Sequence, residues 1–209
     1  MKITQTGILW SQVQVLVGPP EIKIPTFGLV FFETNKAHNH PMSTKFTFTK
    51  NQKLIIEKLN SLNVEYLVIG GLAVKNYCPK RKSKDLDILL PCNLINSIQV
   101  ALIFRAMKMN EDPHRSWEEV LVTPGLRLAC PNESNVEVDI LTSIDGIDFQ
   151  SCYIRSNQIN VNGLDFKIPS IHDLIQMKNI SLQSGNCAVA HEKDRQDIFI
   201  LTKLISSVT

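Results

Sequence analysis

The stretch from Tyr66 to Leu90 constrains this chain more than any other. Tyr66-Leu67-Val68-Ile69 is an apolar run of strand type that ends abruptly on Gly70-Gly71. Leu72 to Tyr77 then fits a short helix that Pro79 stops. Arg81-Lys82-Ser83-Lys84 leads into Asp85-Leu86-Asp87-Ile88-Leu89-Leu90, an alternating strand. Leu86, Ile88 and Leu90 would pack inward. Asp85 and Asp87 would share the other face, about 6.6 Å apart along the strand. Two like charges on one half-buried face repel, and a cation between them relieves the repulsion. The two glycines let the backbone approach a ligand closely, and a helix start just beyond them offers free N–H groups to an anion.

A third carboxylate lies downstream. In Val136-Glu137-Val138-Asp139-Ile140-Leu141 the valines and Ile140 face one way, and Glu137 and Asp139 the other. If this strand lies beside the first, Asp139 completes a three-carboxylate set with Asp85 and Asp87. Hard oxygen ligands of this kind suit magnesium or manganese. Such a set can hold two ions that activate an attacking hydroxyl and stabilise a leaving phosphate. Asp139 would serve the ion on the hydroxyl side and help to take its proton. Taken singly, each part has a plainer reading: a turn, a solvated strand face, the polar side of a strand. The order of the parts is what carries specificity.

The rest of the chain reads as an α/β domain. A helix begins after Thr49 with Leu54, Ile55, Ile56, Leu59 and Leu62 on one stripe. Asn93 caps a helix to Lys108, with Leu94, Ile98, Ala101 and Leu102 expected inward. Glu119 to Val122 and Leu126 to Cys130 read as short strands about a Pro124-Gly125 turn. Trp117 falls in an expected surface loop, where core packing is preferred over stacking on a base. Gln158 to Val161 and Leu164 to Ile168 flank Asn162-Gly163, the best hairpin signal in the chain. Ser170 caps a helix to about Leu182, and a last helix runs from about Ala190 to Ile205. The expected fold is a mixed sheet flanked by helices (an α/β or α+β core at about 48–168), then a C-terminal helical portion at about 170–206.

Residues 1–41 read differently. Val13 to Val17, a Gly18-Pro19-Pro20 turn, and Ile22 to Ile24 with Phe27 to Phe32 fit a hairpin-like extension, and Asn35 to Pro41 a linker. The domain of interest is therefore expected at 42–209. His38 and His40 sit in the linker without a nearby Cys or His, and His114, His172 and His191 are isolated.

Composition excludes several classes. A net charge of +2, from 22 basic and 20 acidic side chains, gives no global drive towards a polyanion or a membrane. The only basic cluster is Lys80, Arg81, Lys82 and Lys84. The five cysteines, Cys78, Cys92, Cys130, Cys152 and Cys187, form no CxxC pair and suit a reducing compartment. No apolar run approaches the ~20 residues of a membrane span, and Met1-Lys2-Ile3-Thr4 lacks a signal peptide's apolar region. Cytoplasm is the expected location.

In its order of parts the chain resembles the nucleotidyltransferase superfamily that includes DNA polymerase β. It looks closest to the small prokaryotic branch near the AbiEii-type abortive-infection toxins. The resemblance covers about residues 48 to 205. Gly70 and Gly71 match the glycine turn, Arg81 and Ser83 the arginine and hydroxyl before the acidic pair. Asp85, Asp87 and Asp139 match the metal-binding carboxylates, and Lys178 the helical lysine. Lys193, Asp194 and Asp197 match the last motif. One departure is Gly71, where many members place a serine; phosphate binding there would rest on backbone N–H groups. The resemblance implies transfer of a nucleoside monophosphate from a nucleoside triphosphate with Mg2+ or Mn2+, and contact of Lys178 with the triphosphate. Asp194 and Asp197 would position Lys178, Arg81 or the nucleotide; taken alone they are acidic residues at a helix start, and Lys178 and Lys193 are solvated lysines. The acceptor stays open: a small molecule, a transfer RNA or a protein. A toxin with an antitoxin partner, a non-catalytic nucleotide-binding member and a metal-dependent phosphohydrolase are the alternatives.

Overall fold

A computed structural model describes residues 47–131, 136–183 and 188–207. The N-terminal extension, the linker histidines and Cys187 lie outside the described residues.

Helix α1 (Lys50–Ser61) starts where Thr49 and Gln52 form a reciprocal capping box. Its buried face carries Ile55, Ile56 and Leu59. The capping Gln52 is itself buried, and its Nε2 donates to the backbone oxygen of Lys84 at 2.6 Å. One side chain thus starts a helix and anchors the approach to the acidic strand.

Strand β1 (Leu67–Ile69) runs directly into α2 (Gly70–Tyr77), and β2 (Leu86–Leu89) follows. Helix α3 (Leu94–Ala106) is capped by the Asn93 side chain, which accepts from Asn96 N. Then come α4 (Trp117–Leu121), β3 (Arg127–Pro131), β4 (Val136–Leu141) and α5 (Phe149–Ile154). Strands β5 (Asn157–Val161) and β6 (Leu164–Ile168) form a separate two-stranded sheet, closed by Asn162 and Gly163 at φ 54° and 81°, the positive values a two-residue hairpin turn demands. Helices α6 (Ile171–Gln183) and α7 (Ala188–Ser206) end the fold and pack on each other.

The four-stranded sheet has the order β1-β2-β4-β3. Strand β2 is antiparallel to β1 and parallel to β4, and β3 is antiparallel to β4 at the edge. The mixed α/β architecture expected from the sequence is therefore present. Its two faces are unequal. One carries the main core, where Leu86, Ile88, Leu90, Val138 and Ile140 meet Ile56, Leu59, Val100 and Phe104. On the other, Leu67, Ile69 and Leu89 form a small core with Cys152 of α5 and Met177 of α6.

Three expectations fail. Leu54, expected on the apolar stripe of α1, is 39% exposed, and Gln52 takes the buried position before Ile55 and Ile56. Leu94, Ile98 and Leu102 of α3 do not face inward. They are exposed with Ile95, and the buried residues are Asn96, Ser97, Val100, Ala101, Ile103 and Phe104. The helix is apolar nearly all round, so periodicity does not choose a face. Asn96 chooses it: its Nδ2 donates to Glu65 O at 2.6 Å and its Oδ1 accepts from Glu65 N at 3.2 Å. The expected strand Glu119 to Val122 is instead the end of α4, begun by a Ser116–Glu119 capping box. Trp117 lies on that helix, packed edge-on against Phe104 at 4.9 Å, in the core as preferred.

Leu201 of α7 is fully buried in the main core. Leu201→Ala is expected to cost about 3 kcal/mol, a Tm fall of roughly 6–12 °C in a thermal melt.

Candidate active site

Strand register decides how the carboxylates meet. Asp87 of β2 pairs with Asp139 of β4 across the parallel ladder, and with Ile69 of β1 on its other side. Paired residues point to one face of a sheet, on strands about 4.8 Å apart. Asp87 and Asp139 therefore stand side by side on the smaller-core face, one step beyond the apolar pair Leu89 and Leu141. Asp85 lies just before β2, exposed, on the same alternation as Asp87. Asp139 is buried and Asp87 half-buried.

The electrostatics follow from this crowding. Burial, then the Asp139 charge, push the Asp87 carboxyl up to about 6; Lys178 and Arg127 pull it back, and Asp85 raises it further. Arg127 of β3 places its Nη2 at 2.5 Å from Asp139 Oδ2. As the side chains stand, no three acidic, thiol or imidazole groups among the described residues are grouped closely enough to hold an ion. The donor set nevertheless fits a hard divalent cation: carboxylate oxygens from neighbouring strands, with the Asp139 charge close enough to raise the proton affinity of Asp87.

The glycine bend sits against these groups. Gly70 has φ +64°, and a Cβ there would lie 2.1 Å from Asp87 Oδ2. A Cβ on Gly71 would lie 2.4 Å from Ser83 Oγ and 3.6 Å from Arg81 Nη2. Both glycines are thus required by close approach, and Ser83 and Arg81 cover the start of α2. No side chain caps that helix end, so its first N–H groups are not taken by a capping side chain.

Helices α6 and α7 supply the opposing wall. Lys178 Nζ is 2.6 Å from Asp194 Oδ1 and 3.0 Å from Asp197 Oδ2. Asp197 is fully buried and also accepts from Arg81 Nε at 2.5 Å. One buried carboxylate therefore holds both Lys178 and Arg81, and Asp197 raises the already high pKa of Arg81 further. Lys193 is exposed on α7 and takes no part in this network. Removing one member of a buried ionic cluster leaves uncompensated charge, so Asp197→Ala is expected to cost about 3–5 kcal/mol in urea unfolding.

Sequence reasoning missed Arg127. It carries no motif, and only the pairing of β3 with β4 brings it to Asp139. Among the described residues no helix is long and apolar enough to cross a membrane, and Cys78, Cys92, Cys130 and Cys152 are free thiols.

No protein-family model matches the chain, and no curated protein matches it. Among solved structures, the chain is similar to an antigenic nucleotidyltransferase-like protein from Paracoccidioides brasiliensis. The identity is 18%, the TM-score 0.44, and 73% of each chain is covered. A likeness at that level carries no inference about residues or activity.

Proposed function

We propose that this chain is a nucleotidyltransferase that moves a nucleoside monophosphate from a nucleoside triphosphate to an acceptor hydroxyl or phosphate, with Mg2+ or Mn2+. The observation that carries the reading is the in-register pair Asp87 and Asp139, facing the same way beside the Gly70 bend. Asp85, Asp87 and Asp139 would hold the cation. A bound ion of this kind activates a hydroxyl and neutralises charge on the transferring phosphate.

The remaining roles belong to the chain's own groups. Gly70 and Gly71 add no side chain of their own at the start of α2, where backbone N–H groups would meet phosphate oxygens. Arg81 and Ser83, packed over Gly71, add a planar donor and a hydroxyl. Lys178 offers a compact ammonium charge close enough to lower the proton affinity of Asp87. Asp194 and Asp197 hold Lys178, and Asp197 also holds Arg81, so both cations are set before the nucleotide arrives. Such positioning supplies most of the catalysis in phosphoryl-type transfer.

The test is incubation with each α-labelled triphosphate, in Mg2+ and in Mn2+, with cell extract separated afterwards into RNA, protein and small-molecule fractions. Label is expected in one fraction, with pyrophosphate released, and is expected to vanish in Asp87→Asn. Label on transfer RNA, with growth arrest that Asp85→Ala abolishes, would identify a toxin. Release of phosphate instead of pyrophosphate would identify a hydrolase. No transfer with any triphosphate would leave nucleotide binding without catalysis.

A further inference from the structure

The smaller-core face of the sheet is covered on one half only. Cys152 and Met177 close over Leu67, Ile69 and Leu89 of β1 and β2. Across the sheet, β3 alternates: Cys130 is buried and Leu128 partly buried in the main core, while Arg127 and Ala129 are exposed on the opposite face. The antiparallel register puts Ala129 beside Asp139 and Arg127 beside Leu141. The result is an open depression of ≈ 430 Å³ lined by Asp85, Arg127, Ala129 and Asp139.

Every group assigned above to the triphosphate lies elsewhere. Gly70 and Gly71 follow β1, with Ser83 and Arg81 packed over Gly71, and Lys178 lies within electrostatic reach of Asp87. In the order β1-β2-β4-β3, the depression is on the far side of the carboxylates from that bend. It is therefore placed for the second substrate. Its floor is a methyl group, which leaves room, and its one cationic side chain is Arg127, 68% exposed.

We propose that Arg127 contacts the acceptor, and that the acceptor carries an anionic oxygen group, phosphate or carboxylate, that this guanidinium recognises. The inference rests on the nucleotidyltransferase reading and names its second substrate's class. In the structure Arg127 donates one bond to Asp139 Oδ2, and a guanidinium has five N–H donors in a fixed fork. A cation held by Asp139 competes for the same oxygen. Arg127 would then stand beside positive charge with donors to spare for an anionic partner, and it lines the depression, 68% exposed. Bidentate pairing with phosphate or carboxylate is what a guanidinium does best. Arg127 so placed would select acceptors by charge.

The experiment is calorimetric titration of inorganic phosphate, and separately of acetate, into the full chain loaded with Mg2+ and a non-hydrolysable α,β-methylene nucleoside triphosphate. Wild type is expected to bind at least one of the two anions in the millimolar range. Arg127→Ala is expected to weaken that binding about tenfold or more, and Arg127→Lys by less. Ala129→Trp, which fills the depression from an exposed position, is expected to weaken it as well. Triphosphate affinity is expected to change by a smaller factor than anion affinity in Arg127→Ala, since the triphosphate's own contacts lie at the glycine bend. Anion binding that Arg127→Ala leaves unaltered, or that displaces the triphosphate, would overturn the proposal, as would absence of anion binding in wild type. Failure of wild type to bind the triphosphate would sink the nucleotidyltransferase reading instead. The same anion titration with Mg2+ alone would then still decide on Arg127.

Discussion

Asp87→Asn is expected to abolish transfer and, in metal-free buffer, to make the protein more stable. The two effects share a cause. In the fold, burial and the neighbouring Asp139 raise the Asp87 carboxyl from 3.8 to about 6. The folded state therefore holds the Asp87 proton more tightly than the unfolded chain does. Its contribution to stability is fully present below pH 3.8 and is lost as pH rises through about 6. At pH 8 the ionised carboxylate costs an amount on the order of 2–3 kcal/mol, counting one pKa unit as about 1.4 kcal/mol. Asparagine has nearly the same shape and no charge, so it removes that cost. Thermal melts in EDTA at pH 8 should show Asp87→Asn above wild type by several degrees, and the gap should close by pH 4. Transfer, by contrast, should fall roughly a thousandfold or more, about 4 kcal/mol of lost transition-state stabilisation. At subsaturating metal the wild-type rate should rise with pH through about 6, because protons compete for Asp87. More metal should move that limb to lower pH. A variant both less active and less stable at every pH would show that Asp87 is simply a structural residue.

Gly70→Ala should be the most damaging single methyl in the described residues. The added Cβ would fall 2.1 Å from Asp87 Oδ2, at a backbone φ of +64°. The backbone strain alone costs about 1 kcal/mol, and something must also move. If the carboxylate moves, the acidic pair loses its register; if the bend moves, the start of α2 leaves the site. Either way, activity is expected to fall about a hundredfold or more, since an ångström of misplacement is costly in positioned catalysis. Gly163→Ala is the control. Gly163 also has positive φ, +81°, but a Cβ there meets nothing within 4 Å. It should lose about 1 kcal/mol of stability and keep its activity. Equal loss of activity in both variants would mean that backbone strain, and not the Asp87 contact, explains the first.

What was legible in the sequence was the part written in short-range signals. The Thr49, Asn93 and Ser170 caps, the Asn162-Gly163 turn and the alternation through Leu86 to Leu90 each set a local geometry, and each is present. The pairing of Asp87 with Asp139 is not written in the sequence, because no local signal shows which strands are neighbours. Where two local signals competed, the stronger-looking one misled. Val120, Leu121 and Val122 have strand propensity, yet the Ser116–Glu119 capping box starts a helix there. In α3 the pattern offered two apolar faces, and a hydrogen-bonded pair between Asn96 and Glu65, distant in sequence, chose between them. Helix α5 has six residues behind an Asp148 cap, too short for periodicity to register. Arg127 belongs to the last class. Its contact with Asp139 exists only through the edge pairing of β3, and no spacing in the chain announces it.

The most direct test of a shared cation is a Mn2+ titration followed by electron paramagnetic resonance, with the non-hydrolysable triphosphate present. It would use wild type, Asp87→Asn, Asp139→Asn and the double variant. Wild type is expected to hold Mn2+ in a site that either single substitution weakens by about tenfold or more, with the double variant little worse than the singles, since residues on one ion are not additive. Wild-type affinity retained in Asp139→Asn would contradict it: the two carboxylates would then stand side by side without holding an ion in common.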